Sequence, residues 1–264
     1  MPDTVFTDVR RFASIDSTNR YLLDEARAGA PAGVVAVADH QTAGRGRLGR
    51  TWEAPAGANL LLSVLLRPGL APDQRHLATS AVALAAVDAV DALCAPAGPG
   101  AGVGVKWPND LVARDGRKVA GILAEADLAS TAPGSPDPVV VGIGLNVNWP
   151  ASDDDLPPEL RGVAGSLRQM VGAEVDREAL LAALLAALGP RVGALATGAG
   201  RARLAADLRA RCVTLGAPVR VDLADGSFTG TATDVTDEGH LVVDAGGVTR
   251  TVVAGDVIHV RPAG

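Results

Sequence analysis

The sequence predicts an α+β protein in two parts, a larger domain over residues 1–213 and a small SH3-like β-barrel over 214–264. Three observations predict it. As far as about Arg211, short apolar runs of strand type alternate with helical stretches. From Gly216 the pattern changes to alternation in short segments separated by Asp225-Gly226, Glu238-Gly239 and Gly246-Gly247. At 264 residues the chain holds one good-sized domain and a small second one.

Val9 to Ile15 reads as the first strand. Asp16-Ser17-Thr18-Asn19 then supplies N-cap residues for a short amphipathic helix through Tyr21, Leu22 and Ala26 that stops at Gly29. Such a corner presents hydroxyls, an amide and free backbone donors, and serves either as plain capping or as a site for a polar ligand group. Gly33 to Ala38 and residues 59–66 are strands, and Leu77 to Leu93 is a long Ala/Val helix. Ala95 to Gly102 reads as a linker. A strand from Val103 turns at Trp107-Pro108, leaves through Leu111-Val112 and returns after Asp115-Gly116 along 117–125. Asp127 to Pro138 is a loop, and 139–148 a buried strand that ends in asparagines. Asp153-Asp154-Asp155 is a solvated loop. Asp176 caps a helix with Leu180, Leu181, Leu184, Leu185 and Leu188 on one face, and a second helix covers about Arg201 to Arg211. The barrel strands are Val219–Leu223, Phe228–Thr233, Leu241–Val243, Val248–Val253 and Val257–Val260, with a hydrophobic pattern separate from that of the larger domain.

Apolar residues make up 48% of the chain and aromatic ones 3%, so the core is built from Ala, Val and Leu. A net charge of −6 argues against a nucleic-acid partner, which selects a basic face. Cys94 and Cys212 are isolated and suit a reducing compartment. No charged-then-apolar leader opens the chain, and no apolar run approaches the length of a membrane span. A soluble, cytoplasmic protein with no membrane partner is expected.

Three stretches carry chemistry. In Gly44-Arg45-Gly46-Arg47-Leu48-Gly49-Arg50-Thr51-Trp52, glycines allow close backbone approach and arginines offer forked donors for carboxylate and phosphate. Its arginines repel one another without an anion, so the loop is expected to be mobile until it folds over a small anionic molecule. The same letters match a dinucleotide fingerprint and, with Arg for Lys, a P-loop. Both need a helix immediately after, and Glu53-Ala54-Pro55-Ala56-Gly57 does not open one. The second stretch is the 103–125 hairpin. Of 24 basic residues only Lys106 and Lys118 are lysines, and both lie here. With Asn109 and Asp110 they converge near one end of a sheet, an arrangement suited to phosphate and metal handling or to an ordinary salt-bridged turn. The third is the asparagine-ended strand, whose amides suit reading a base edge.

Asp16-Ser17-Thr18-Asn19, the glycine–arginine run with Trp52, Lys106-Trp107-Pro108-Asn109-Asp110, Lys118-x-Ala120-Gly121-Ile122 and Gly142-Ile143-Gly144-Leu145-Asn146-Val147-Asn148 occur in one order. Together they closely resemble the biotin protein ligases, from about Arg11 to the end of the chain. The resemblance implies a mixed-sheet catalytic domain related to class II aminoacyl-tRNA synthetases and lipoate ligases. It implies activation of biotin by ATP, with Mg²⁺ on the phosphates rather than in a protein cage. It implies transfer from biotinyl-5′-AMP to a lysine of the biotin carboxyl carrier domain of acetyl-CoA or acyl-CoA carboxylases. Carried over, the biotin ligands are Ser17, Thr18, Asn19, Gln41, Gly44, Arg45, Gly46, Arg47 and Lys118. Arg50, Trp52, Asn109 and Asn146 hold ATP or the adenylate. Lys118, Lys106, Asp110 and Arg47 are the catalytic set, with Asp110 guiding or deprotonating the incoming lysine. Bifunctional members begin with a winged helix-turn-helix. Few residues precede the first strand here, so DNA binding and repression are not expected. A monomer or weak homodimer fits the family. The alternatives are a lipoate or octanoate ligase on the same fold, and a non-catalytic biotin-sensing repressor.

Overall fold

A computed structural model of the chain describes residues 6–94, 102–126, 136–223, 225–253 and 255–259. The linker and loop expected around 95–101 and 127–135 lie outside these. Seven strands form a mixed sheet: β1 (Val9–Phe12), β2 (Val35–Ala38), β3 (Leu60–Leu66), β4 (Val103–Lys106), β5 (Asp110–Ala113), β6 (Lys118–Ala126) and β7 (Val139–Leu145), in the order β1-β2-β3-β7-β6-β5-β4. β1 and β2 are parallel and every other pairing is antiparallel.

Period-two patterning divides the sheet into two faces. Val35, Val37, Leu60, Leu62, Val64 and Leu66 pack with α2 (His76–Cys94) in the main core. The intervening Ala36, Leu65 and Val140 pack instead with Leu22 and Ala26 of α1 (Thr18–Arg27). Each fully buried leucine contributes about 1.5–3 kcal/mol, and a one-residue slip of β3 would turn Ser63 into the apolar α2 face. α2 lies between the sheet and α4 (Arg177–Gly193), which explains why Leu77 to Val87 are all buried. Arg191 of α4 binds Asp88 of α2 through two hydrogen bonds, 2.9 and 3.1 Å, and also holds Asp207 of α5 (Gly198–Arg211).

By length and composition alone, residues 72–94 and 177–196 would suffice to cross a bilayer, although Asp88, Asp91 and Arg191 interrupt their apolar runs. Most of the first is buried in the core, because a helix covered on two sides is apolar all round. α3 (Leu167–Val171) was not expected; Ser166 and Gln169 cap it reciprocally. Asp176 caps α4 as the sequence indicates.

The second sheet comprises β8 (Pro218–Leu223), β9 (Gly226–Val235), β10 (Leu241–Asp244), β11 (Thr249–Val252) and β12 (Asp256–His259), antiparallel throughout in the order β11-β10-β9-β8-β12. Its buried residues, among them Val219, Val221, Leu241 and Val257, belong to the same contiguous core as α2 and the large sheet. The two hydrophobic patterns, separate along the sequence, thus meet in one core. A barrel of this size cannot bury enough apolar surface alone, and it completes its core against the larger domain. Trp107 marks the seam: its Nε1 donates to Gly239 O at 3.1 Å and its backbone N–H to Thr214 Oγ1 at 3.0 Å. His76 Nε2 donates to Glu238 O at 2.5 Å, and the rings of His76 and His240 lie 4.7 Å apart.

Candidate active site

The α1 face of the sheet is apolar at β2 and changes character toward β7 and β6. There it carries Ser63, Gly142, Gly144 and Gly121, and each glycine stands under a particular side chain. A Cβ at Gly142 would lie 2.2 Å from Asn19 Oδ1, and one at Gly144 would lie 2.5 Å from Cε2 of Trp52. Gly121, paired with Gly144 across the ladder, would meet Trp52 at 3.0 Å and Lys118 at 3.2 Å. The glycine-rich strand therefore makes a floor shallow enough for an indole to lie on a sheet.

The first predicted corner is assembled by the N-terminus of α1 and the centre of β3. Ser17 is the N-cap. Gln41 Oε1 accepts from Thr18 N (2.8 Å) and Thr18 Oγ1 (3.1 Å), and Thr18 Oγ1 lies 2.7 Å from Ser63 Oγ. Asn19 is held on every side. Its Nδ2 donates to Leu123 O (3.1 Å) and Glu125 Oε2 (2.8 Å), and its Oδ1 accepts from Ser63 Oγ (2.6 Å). Both N–H donors of the amide are consumed within the protein, leaving one lone pair for anything else.

The glycine–arginine loop is folded, not splayed by its charges. Arg45 and Thr51 form a β-bridge, Gly46 N donates to Arg50 O at 2.6 Å, and Trp52 N to Gly44 O at 3.0 Å. Leu48, 73% exposed, takes φ 57° and ψ 34° at the tip, a left-handed conformation uncommon for such a residue. Each arginine has an acceptor of its own: Arg45 on Glu125 (2.8 Å), Arg47 on Asn109 Oδ1 (2.7 Å) and Gly255 O (2.8 Å), Arg50 on Asp256 (3.2 Å). The expectation of a self-repelling loop, mobile until it folds over an anion, did not include these acceptors, which come from β6, the 107–109 turn and the start of β12.

Lys118 Nζ is 2.7 Å from Asp110 Oδ1 and 5.7 Å from the centroid of the Trp52 ring. Asp110 Oδ1 has no aligned hydrogen-bond donor, so the contact is a charge pair that can exchange partners. The indole Nε1 of Trp52 is buried without an acceptor among the described residues, and an unpaired donor of this kind costs about 1–3 kcal/mol. Lys106 stands opposite Asp110 in the β4–β5 ladder, and its charge reaches His259 of the barrel. Burial holds His259 below the ordinary imidazole range, with Lys106 adding to the effect. Asn109 Nδ2 donates to Ile122 O at 2.9 Å, which leaves Oδ1 for Arg47. Asn146 is buried: its Oδ1 accepts from Asn59 (3.1 Å) and its Nδ2 donates to Gly165 O (3.0 Å), with one N–H remaining.

A cavity of about 790 Å³ is lined by the loop 43–51, the first turns of α2, Trp107–Asn109, the β6 segment Ile122–Ala126, and Val253 and Gly255 of the barrel. Of the predicted residues, Gly44, Arg45, Gly46, Arg47, Arg50 and Asn109 line it. Trp52, Lys118 and Asp110 cluster on the glycine floor, and Ser17, Thr18, Asn19 and Gln41 form the corner beside Ser63. Sequence reasoning missed Ser63, Asn59, Glu125 and Asp256. Ser63, a lone hydroxyl in the apolar run of β3, was the one legible signal. Among the described residues no three His, Cys, Asp or Glu side chains gather to hold a metal.

A seven-stranded mixed sheet with a cation-rimmed cleft and an appended five-stranded domain defines a class, and comparison with known proteins agrees with it. Residues 11–146 match the biotin/lipoate A/B protein ligase family, and residues 214–260 match the biotin protein ligase C-terminal domain. The chain belongs to the biotin protein ligase family. It is 43% identical over 252 residues to the biotin--[acetyl-CoA-carboxylase] ligase of Mycobacterium tuberculosis, covering 94% of this chain and 88% of that one. With the same-named ligase of Paracoccus denitrificans it shares 33% identity over 93% of this chain and 98% of that one. The structure of the Aquifex aeolicus biotin protein ligase in complex with biotin and ATP superposes with a TM-score of 0.77, at 25% identity, covering 97% and 99% of the two chains.

Proposed function

We propose that this chain is an ATP-dependent biotin ligase. It joins biotin to AMP and passes the acyl group to a lysine of a biotin carboxyl carrier domain, within a catalytic part spanning 1–213 and a barrel spanning 214–264. The observation that carries the reading is the cluster of Lys118, Asp110 and Trp52 on the glycine floor beside an arginine-rimmed cavity. The cavity volume falls in the range of small-molecule sites. In the first step a carboxylate oxygen of biotin attacks the α-phosphorus of ATP and pyrophosphate leaves. ATP enters with Mg²⁺ carried on its phosphates. Lys118, released from Asp110 as the phosphate arrives, meets the charge that develops between carboxylate and phosphate. Arg45, Arg47 and Arg50 have donors left for the same anion, since each guanidinium has five N–H groups. The hydroxyl and amide corner around Thr18, Gln41 and Ser63 takes the polar ring. Trp52 and the remaining N–H of Asn146 serve the nucleotide.

In the second step the acceptor amine attacks the acyl carbon and AMP leaves. Asp110, freed by the movement of Lys118, accepts or orients the proton of the incoming ammonium. Lys106, at the seam between sheet and barrel, adds positive potential on that side. Cys94 and Cys212 are free, buried and pushed up in pKa by burial, in keeping with a cytoplasmic setting. The deciding experiment gives the protein ATP with biotin, lipoate or octanoate, reads pyrophosphate release, and then adds a carboxylase carrier domain with labelled biotin. Release with biotin alone, followed by labelled carrier, is expected. Release with lipoate or octanoate in its place, or biotin bound without release, overturns the reading.

A further inference from the structure

Glu125 lies near the end of β6 on the cleft side, and nothing in the proposed chemistry uses it. A single oxygen, Oε2, accepts from Asn19 Nδ2 at 2.8 Å and from Arg45 Nη2 at 2.8 Å. Asn19 belongs to the corner at the head of α1, and Arg45 opens the glycine–arginine loop. These elements are otherwise far apart in sequence, and the carboxylate is a shared anchor between them. Asn19 in turn orients Ser63, which donates to its Oδ1 at 2.6 Å, and Ser63 lies 2.7 Å from Thr18 Oγ1. A continuous line of hydrogen bonds therefore runs from Ser63 through Asn19 and Glu125 to Arg45, with Thr18 Oγ1 against its Ser63 end. The side chain of Glu125 is 24% exposed and that of Arg45 43%, so the carboxylate is the better-fixed partner and the arginine takes its position from it. Only one guanidinium nitrogen of Arg45 is used on Glu125, which leaves the others for an anionic ligand.

On the ligase reading above, we infer that Glu125 is a positioning residue for the acid substrate. It fixes the Arg45 guanidinium at the cavity and couples that placement to the polar corner that receives the other end of the molecule. It touches no reacting atom and acts through Arg45 and Asn19. Two substitutions separate its two bonds. Glu125→Gln keeps an acceptor for Asn19 and removes the charge that holds Arg45; Glu125→Ala removes both.

With pyrophosphate release as the readout, KM for biotin should rise about threefold in Glu125→Gln and about tenfold in Glu125→Ala, while kcat and KM for ATP hold. A merely structural role would lower the active fraction, and so kcat, with KM for biotin unchanged. A second readout needs no substrate: limited trypsin digestion of the free protein should cut after Arg45 faster in both variants than in the parent. Unchanged KM with unchanged cleavage overturns the proposal. So does a fall in kcat alone, and equal KM effects in the two variants overturn the coupling to Asn19. If the parent protein activates no biotin, the ligase reading fails by itself, and the cleavage rates still decide whether Glu125 holds Arg45.

Discussion

Gly144→Ala tests the idea that the sheet is glycine-rich because an indole must lie on it. The added Cβ would stand 2.5 Å from Cε2, 2.6 Å from Nε1 and 2.9 Å from Cζ2 of Trp52. Ordinary carbon–carbon contact begins near 3.5 Å, so the ring must lift by about 1 Å. It cannot lift freely. Trp52 N is hydrogen-bonded to Gly44 O at 3.0 Å, and the Trp52 carbonyl oxygen lies so close to Gly44 that a Cβ there would be 2.2 Å away. The displacement therefore passes into the arginine loop. Overpacking of this kind costs about 1–3 kcal/mol, which, taken from ligand binding, is about fivefold to 150-fold in affinity. The assay is pyrophosphate release against biotin and ATP concentration, with intrinsic fluorescence as a second probe of the indole. Gly121→Ala provides a graded comparison, since its Cβ would lie 3.0 Å from Trp52 and 3.2 Å from the flexible end of Lys118, and its effect should be smaller. Parental affinity and fluorescence in Gly144→Ala would refute the role of the glycine floor.

Three further outcomes are expected. Lys118→Arg keeps charge but not the compact ammonium opposite Asp110, 2.7 Å away, so adenylate formation should fall about a hundredfold; near-parental single-turnover rates would remove Lys118 from the chemistry. Asn59, 1% exposed, accepts from the backbone N–H groups of Val147 (2.9 Å) and Trp149 (3.1 Å). Asn59→Ala would strand both, and a loss of about 2–3 kcal/mol by urea denaturation is expected, with a loss under 1 kcal/mol counting against it. His76 and His259 are held below the ordinary imidazole value, chiefly by burial, with His240 and Lys106 respectively adding to it. The native state prefers both rings neutral, so their contribution to stability is complete above about pH 6.5 and is lost as pH falls toward the depressed values. Urea midpoints should drop between pH 7.5 and 5.5, and a His76→Gln, His259→Gln double variant should lose much of that drop. A full drop in the double variant would assign it elsewhere.

Much of the architecture was legible from local pattern. Short apolar runs announced the strands of the large sheet, Asp176 announced α4, and paired Gly and Asp-Gly turns marked the second sheet, whereas which residues of β3 face α2 and which face α1 came from the structure. α3 was missed although Ser166 and Gln169 make a capping box, because only five residues follow before Gly172 turns the chain. The five sequence motifs likewise gave the family and the residues worth following. What the sequence could not give was partnership across distance. Arg45, Arg47 and Arg50 read as mutually repelling because their acceptors lie 62 to 208 residues away. Asn19 and Asn146 read as free amides, but tertiary packing occupies most of their hydrogen-bonding groups. The barrel's hydrophobic pattern read as separate from that of the larger domain, because periodicity reports which side of a strand is apolar, not what covers it. Hydrophobic period and capping are local properties of a chain, set by a few neighbouring residues. Charge neutralisation and core continuity depend on which distant segments the closed fold brings within about 3 to 4 Å.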